Sequence, residues 1–263
     1  MIRVPRLVTA VLGAVTGFVL LLLYGPILVA IFFSFFRFEK NAVNWSSFSF
    51  DAYASLVHDR SIIDAVLNSF LVGAVAVSLS LVLGTLLAFW YRASRSRFRA
   101  VLQLLVFLPF LMPPIITGLS LLIFFREADV PRSLATVVIG HMVFVLALAY
   151  RIILTRLETL RPSLVEASYD LGASGWQTFR FVVAPSLLSA IGAAAILAFA
   201  LSFDETLITL LVTGTESTLP MRLWAMMRMG FTPDINALVT IILVASTGLA
   251  LLAIRFVKVP SGR

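Results

Sequence analysis

The chain has 263 residues, of which 60% are hydrophobic and only 13% are charged, with a mean hydropathy of +1.04. Soluble domains carry about 25% charged residues, so the composition predicts an integral membrane protein. The chain has no cysteine, which excludes a disulfide framework, a thiolate metal site and a cysteine nucleophile. The net charge of +7 does not indicate nucleic-acid binding, because no basic run interleaves with aromatic residues.

Six apolar stretches are long enough to cross a bilayer, which takes about 20 helical residues. We predict spans at about 7–36, 63–91, 100–125, 133–152, 185–213 and 234–256, and an internal loop over 153–184. The predicted fold is all-α, with residues 1–263 forming a single transmembrane domain. The first span lacks a small-residue cleavage site, so we expect a retained anchor rather than a signal peptide.

The basic residues predict the orientation of these spans, because Lys and Arg favour the cytoplasmic side. With the N-terminus inside, the inner segments hold 13 of the 20 basic residues and the outer segments hold 7. The inner cluster over 92–97 is interpreted as a topology signal. Six spans then place both termini in the cytoplasm.

Two short helices are predicted outside the spans. Tyr53, Leu56 and Val57 recur at helical spacing, which is typical of an amphipathic helix over 50–57. Residues 219–228 form a second candidate, with Trp224 at headgroup level. Thr232 and Pro233 are expected to begin the sixth span.

The third span is interrupted by prolines. Pro109, Pro113 and Pro114 each remove an intrahelical hydrogen bond. Interrupted membrane helices often line substrate routes, because their freed carbonyls need a cavity or neighbours. A simple packing kink is the alternative interpretation.

His141 lies in the predicted fourth span. A lone histidine within the membrane can serve function. One hydrogen bond to a neighbouring helix explains it equally well, so no role is assigned from the sequence.

The 153–184 loop carries signals for two capped helices. Ser163 and Glu166 are spaced as a capping box, and Ser174 with Gln177 repeats that pattern. Gly172 suits the left-handed position after a helix end. Pro185 fits the first turn of the following helix. Such a rigid loop suggests a surface offered to a soluble partner.

The fifth span predicts a small-residue contact face over 192–195 and ends in Asp204 and Glu205. Two acids at that depth require water, a cation or a basic partner. Adjacent helical residues point about 100° apart, so one acid is expected to face a pathway. A structural salt bridge to a neighbouring helix is the alternative.

No motif for catalysis or nucleotide binding is present. The sequence contains no phosphate-binding G-x-x-x-x-G-K-[ST] loop, no H-E-x-x-H and no nucleophile elbow. We therefore expect neither an enzyme nor a cofactor or metal site on this chain. A single-chain secondary transporter or channel, or a membrane anchor for an enzyme complex, remain alternatives.

The loop resembles the "EAA" loop of ABC-importer permeases, in which E-A-A, three residues, G, nine residues and I-x-L-P follow one another. Glu166, Ala167, Gly172 and Pro185 match that pattern, while Ser168, Val182 and Ala184 depart from it conservatively. The six predicted spans and the Ser-Phe-Asp-Glu run ending at Glu205 are similar to the permeases of spermidine/putrescine importers. The resemblance therefore implies the type I (MetI-like) permease fold.

The resemblance also implies partners and roles. A second, homologous permease, two copies of a cytoplasmic ATPase that holds ATP and Mg²⁺, and a periplasmic solute-binding protein would assemble with this chain in the bacterial inner membrane. The solute would be a polyamine, or alternatively an opine, an amino-acid-like solute or another small organic molecule. The ATPase-coupling residues would be Glu166, Ala167, Ser168, Asp170, Leu171, Gly172 and Trp176, and the solute pathway would include Asp204, Glu205, Pro109, Pro113 and Pro114.

Overall fold

The computed structural model describes residues 6–39, 42–94, 96–229 and 233–256, and these residues are mostly helical. The elements fall into two compact units, Met1–Arg60 with Leu223–Arg263, and Ser61–Arg222. In chain order they are α1 Arg6–Phe33, β1 Phe36–Glu39, β2 Ala42–Phe48, α2 Asp51–His58, α3 Arg60–Ala93, α4 Phe98–Leu111, α5 Pro114–Glu127, α6 Leu134–Thr159, α7 Pro162–Asp170, α8 Gly175–Thr178, a π-helical turn Phe179–Val183, α9 Ala184–Asp204, α10 Leu207–Val212, α11 Leu219–Met229 and α12 Pro233–Phe256.

Several of these helices have the length and composition of membrane spans. Among the described residues, four qualify individually, and the bent pair α4–α5 counts as a fifth. The sixth predicted span corresponds to α12, in which residues 234–248 form a shorter apolar helix. The four individual helices are Leu7–Phe33, Arg60–Ala93, Leu134–Thr159 and Gly175–Asp204.

In the first unit, α1 packs along α12, and an antiparallel hairpin of β1 and β2 follows α1. This hairpin was not predicted from the sequence. The first span was predicted to reach residue 36, because Phe36 and its neighbours are as apolar as the helix. Aromatic contacts explain the change of conformation, since Phe35 stacks on Phe48 with ring centroids 5.6 Å apart.

The amphipathic helix predicted over 50–57 is confirmed as α2. Leu56 is buried, and the hydroxyl of Tyr53 lies 2.6 Å from the hydroxyl of Ser34. Val57 is 66% exposed, so it does not share the buried position of Leu56. The helix predicted over 219–228 corresponds to α11, where Arg228 lies over the ring of Trp224. Thr232 lies outside the described residues.

The second unit is built around α6, which packs most extensively against α9. The contact uses small side chains one helical turn apart, Ala190, Ala194 and Ala198, all buried. The contact face predicted over 192–195 therefore runs along Ala190, Ala194 and Ala198 instead. Gly192 points into open space, where an added Cβ would meet nothing within 4 Å.

The predicted loop over 153–184 is more helical than expected. Residues 153–159 continue α6, and α8, the π-helical turn and α9 form one continuous helix from Gly175 to Asp204. Within the π-helical turn, the amide of Ala184 donates to the carbonyl of Phe179, five residues earlier. Pro185 follows directly and supplies no amide of its own, so this wider turn lies where the regular ladder is interrupted.

The third and fifth predicted spans are both broken. α4 and α5 meet at an angle of 108°, with Met112 and Pro113 extended between them. The predicted fifth span over 185–213 is interrupted after Asp204, because Glu205 is extended and α10 begins at Leu207. The sequence predicted the first break from its prolines and did not predict the second.

A close approach of α3 to α6 at Gly84 gives a test of this packing. An added Cβ at Gly84 would lie 3.0 Å from the backbone nitrogen of Tyr150. We expect Gly84→Val to destabilise the purified chain by about 1–3 kcal/mol, because backbone atoms cannot move aside as a side chain can.

Gly192→Val, the same chemical change on the open face of α9, is the matched control. Thermal unfolding in mild detergent should show a lowered Tm for Gly84→Val and a much smaller change for Gly192→Val. Equal shifts in the two variants would contradict the close approach.

Candidate functional site

The break between α9 and α10 separates the two predicted acidic residues. Glu205 is only 7% exposed. Its carboxylate turns back on α10, where Oε1 accepts from the amides of Leu207 at 2.8 Å and Ile208 at 3.0 Å. Glu205 thus satisfies amides at the start of α10, which is the role of a helix-capping side chain.

Asp204 lies on the other side of the break and is exposed. Within the described part of the chain, its carboxylate makes no hydrogen bond or ion pair, whereas its carbonyl accepts from Thr206 Oγ1 at 3.3 Å. The two acids therefore have different surroundings. Of the pair, Asp204 is the one whose carboxylate remains available to a ligand.

Polar contacts to α6 accompany the break. His141 is 1% exposed and contacts Ser202 before the break and Thr209 after it, both at 2.8 Å. The sequence left His141 without a role and anticipated a single hydrogen bond. Among the described residues, no group of three or more histidine, aspartate or glutamate side chains could hold a metal ion.

The two broken helices pack against each other through their second halves, α5 and α10. Gly118 on α5 makes this possible, because an added Cβ would lie 3.1 Å from Ile208 Cα. Gly140 on α6 leaves room for the Ile208 side chain in the same way, since its Cβ would lie 2.7 Å from Cγ2. The sequence did not predict this packing role for either glycine, because Ile208 is distant from both along the chain.

At the proline break, one carbonyl finds a partner across the bend. Thr117 Oγ1 on α5 donates to the carbonyl of Pro109 on α4 at 3.1 Å. Pro113 is exposed, whereas Pro109 and Pro114 are half-buried. The structure thus places the prolines on the helix pair that packs against α10, and their contact with a solute stays a prediction.

The first helix of the loop, α7, begins differently from the prediction. Pro162 occupies the first turn and Arg161 is extended at the N-cap, with no side-chain cap. The capping box of Ser163 and Glu166 was therefore wrong. The proline decides the start, because it favours the first helical turn and forces the preceding residue out of the helical region.

The end of α7 follows the prediction. Gly172 has φ of +81°, and the amides of Gly172 and Ala173 donate to the carbonyls of Tyr169 at 2.8 Å and Ser168 at 3.0 Å. These two bonds form a Schellman motif. The chain thereby reverses direction in a defined geometry.

The second helix begins as predicted with a reciprocal capping box. Ser174 Oγ accepts from the amide of Gln177 at 3.3 Å, and Gln177 Oε1 accepts from the amide of Ser174 at 2.7 Å. Across the turn, the hydroxyls of Ser168 and Thr178 lie 2.8 Å apart in a buried pair. This pair links α7 to α8.

Most of the residues predicted for ATPase coupling lie on the loop surface. Leu171 is 89% exposed and Trp176 is 66% exposed, and Glu166, Ala167, Asp170 and Gly172 are also exposed. Ser168 is buried and holds the two helices together instead. Trp176 stacks on Phe179, which packs edge-on against Phe89 of α3.

Two arginines brace the base of the loop. Arg92 on α3 donates to the carbonyl of Leu157, and Arg156 Nε on α6 donates to the carbonyl of Ser186 on α9 at 2.9 Å. The sequence analysis interpreted Arg92 only as a topology signal. Its spacing gave no indication of this contact, which depends on the packing of α3 against the end of α6.

Residues 80–260 match the family described as binding-protein-dependent transport system inner membrane component. The match covers the broken helices, the two-helix loop and α12. The chain belongs to this family. It is therefore an inner-membrane permease subunit of an ABC importer, as the resemblance of the loop predicted.

Curated relatives of this permease extend the similarity to most of the chain. It is 34% identical over 229 residues to the putrescine transport system permease protein PotI of Escherichia coli K12, covering 84% of this chain and 81% of PotI. It is 28% identical over 225 residues to the spermidine/putrescine transport system permease protein PotC of the same strain, covering 85% of each chain.

Solved structures share the fold of this permease. A chain of a bacterial ABC transporter that imports the acidic polysaccharide alginate superposes with a TM-score of 0.76 at 15% identity, over 97% of this chain and 96% of that one. The MetNI methionine ABC transporter in an inward-facing form gives a TM-score of 0.61 at 20% identity, over 78% and 95% of the two chains. The predicted MetI-like permease fold is confirmed, and it is mostly helical; the expectation of an all-α chain was wrong, because β1 and β2 form a hairpin.

The turn at Gly172 of this permease can be tested directly. An added Cβ would meet nothing within 4 Å, so Gly172→Ala changes only the backbone preference and strains the left-handed position by about 1–2 kcal/mol. We expect faster hydrogen exchange of the amides over 163–178 in the alanine variant.

Gly172→Asn is the matched variant, because asparagine tolerates the left-handed region better than alanine. Its exchange rates should lie between those of the wild type and Gly172→Ala. If asparagine loosens the loop more than alanine does, backbone conformation is not what Gly172 contributes.

Proposed function

We propose that this permease takes a polyamine, putrescine or spermidine, across the inner membrane as one half of the translocation pathway of an ABC importer. It does so with six spans and both termini in the cytoplasm. The arginine distribution supports this orientation, and α12 supplies a sixth apolar helix. The polyamine is supported by the names of the relatives PotI and PotC.

The partners follow from this role. A second, homologous permease of different sequence completes the pathway, two copies of a cytoplasmic ATPase hold ATP and Mg²⁺, and a periplasmic binding protein delivers the solute. One of the solved relatives, the alginate transporter, was determined with its ligand-bound periplasmic protein. A single-chain secondary carrier is disfavoured by membership of a binding-protein-dependent family.

The two-helix loop is the ATPase-coupling element in this proposal. Its short helices are fixed by a Schellman turn, a capping box and a buried hydroxyl pair. Leu171 and Trp176 present apolar surface at its tip, and Arg92 and Arg156 tie its base to the spans. A loop held in this way transmits a displacement of the ATPase instead of absorbing it.

Asp204 carries the proposal for the solute. Its carboxylate is exposed at a helix break and uncommitted within the described residues, so it is suited to an ammonium group of a polyamine. Charge-assisted hydrogen bonds of this kind are stronger than neutral ones. The alternative solutes, an opine or an amino-acid-like molecule, also carry an amino group and would use the same carboxylate.

The coupling role predicts a selective loss in Glu166→Ala. We expect putrescine-stimulated ATP hydrolysis by the reconstituted complex to fall severalfold, because the exposed carboxylate is lost from the surface facing the ATPase. Gly172→Pro should act in the same direction by preventing the left-handed turn.

Glu158→Ala is the control, since Glu158 is an exposed carboxylate at the end of α6, before the loop turns. It should leave stimulated hydrolysis near the wild-type rate. Coupling that is unchanged in both Glu166→Ala and Gly172→Pro would remove the loop from the coupling role.

The acidic pair predicts two different phenotypes. Asp204→Asn should reduce putrescine uptake into proteoliposomes by about tenfold without lowering the Tm, because one charge-assisted contact is lost. Glu205→Gln should transport nearly normally, because its amide oxygen can still accept from Leu207 and Ile208. Glu205→Ala removes the cap and should lower stability by about 0.5–2 kcal/mol.

Uptake and Tm measured on the same three preparations separate these effects. Normal uptake by Asp204→Asn would return Asp204 to a structural role. Loss of uptake in Glu205→Gln with an unchanged Tm would instead make Glu205 the acid that contacts the solute.

A further inference from the structure

His141 joins the two sides of the acidic helix break. Ser202, which its Nδ1 contacts at 2.8 Å, lies in the last turn of α9. Thr209, which its Nε2 contacts at 2.8 Å, lies in the first turn of α10. All three side chains are buried. The imidazole therefore spans the break from a third helix, α6.

The hydrogen bonds around His141 form one continuous chain. Thr209 Oγ1 donates its single hydrogen to the carbonyl of Glu205 at 3.1 Å, so it accepts from Nε2–H of His141. A neutral imidazole then accepts at Nδ1 from the hydroxyl of Ser202. Every polar group in this series of hydrogen bonds has a partner, and the series ends on the carbonyl of Glu205, which the break leaves without a helical partner.

A second contact fixes the other end of α10 to the same helix. Thr136 Oγ1 on α6 lies 2.7 Å from the carbonyl of Val212, the last residue of α10. Beside the His141 contact, Ile208 lies against Gly140, which stands between Thr136 and His141 on α6. α10 is thus attached to α6 at both ends and has little freedom to move independently of it.

α6 also leads directly to the two-helix loop. It runs without interruption from Leu134 to Thr159, and α7 begins at Pro162. His141 and Thr159 are about 27 Å apart along the axis at 1.5 Å per residue. One rigid helix therefore connects the loop with the acidic break.

We propose that His141 is a positioning residue that fastens α10, the helix that follows the acidic break, to α6, so that α10 moves with the loop as Asp204 already does through α9. The coupling part of this statement rests on the proposed function, whereas the attachment of α10 does not. Without His141, α10 would separate from α6, and its position relative to Asp204 would no longer be fixed.

The attachment can be measured by cysteine protection, because the chain has no cysteine of its own. Val212→Cys places a reporter at a fully buried position of α10. In the assembled complex, the rate of its alkylation by a membrane-permeant maleimide is followed on this chain by mass spectrometry. We expect His141→Leu to raise that rate about tenfold, because the lost hydrogen bonds favour local opening.

Ser80→Ala is the matched control. Ser80 Oγ on α3 lies 3.0 Å from the carbonyl of Met142 on α6 and 2.8 Å from that of Ala76, and Ser80 is fully buried, but it does not contact the break. The reporter should stay protected in this variant. His141→Gln, which carries both a donor and an acceptor, should restore much of the protection. Opening in Ser80→Ala equal to that in His141→Leu would overturn the proposal.

Thr209→Val gives a second, milder route to the same question. It removes the acceptor of Nε2–H while keeping the shape of the side chain. If the two residues act through one contact, the double variant with His141→Leu should open no more than His141→Leu alone. Additive opening, or protection unchanged in both single variants, would overturn the positioning role.

The functional readout separates this inference from the proposed solute. In His141→Leu, the ratio of putrescine-stimulated to basal ATP hydrolysis should fall relative to Ser80→Ala. Increased alkylation without any response of the wild type to putrescine would support the attachment and reject the solute. A wild-type putrescine response with unchanged alkylation in the variants would reject the attachment alone.

Discussion

Backbone groups inside a membrane must find partners within the protein, and the two broken helices of this permease supply such partners at their breaks. Each exposed amide or carbonyl in lipid is unfavourable by several kcal/mol. At the acidic break, a carboxylate satisfies the amides of α10 and a threonine satisfies the carbonyl of Glu205. At the proline break, Thr117 satisfies the carbonyl of Pro109. The backbone therefore has a defined, hydrogen-bonded conformation at both breaks.

The helices that follow the two breaks pack against each other. α5 and α10, the second halves of the two broken helices, meet at Gly118 and Ile208. An interrupted helix loses backbone hydrogen bonds and is stable only where neighbouring groups replace them. Broken helices therefore pack around a shared partner. α6 is that partner here, and it contributes Gly140, His141 and Thr136 to the same contact.

The sequence predicted those parts of the fold whose cause is local. The turn at Gly172, the capping box at Ser174 and the proline break depend on residues next to one another, and the structure contains all three. The break after Asp204 has no glycine or proline to mark it. His141, a residue distant in sequence, contacts both sides of the break, so this arrangement could not be predicted from the stretch around it.

Competition between local signals explains the remaining errors. At the start of α7, Pro162 takes the position that a capping box at Ser163 would need. In the hairpin, aromatic contacts outweigh an apolar composition that is equally compatible with a helix. The family was predicted correctly because its loop signature is local, whereas the different surroundings of Asp204 and Glu205 emerge only from the packing around them.

The π-helical turn at 179–183 sets the rotational phase between the loop and the spans. Such a turn accommodates one residue more than a regular α-helical turn. Because the wider turn absorbs the extra residue, Trp176 keeps its direction relative to the buried face of Ala190 and Ala194. A deletion in the regular helix on either side would instead rotate Trp176 by about 100° relative to that face. The nine residues between Gly172 and Val182 therefore define an angle as well as a length.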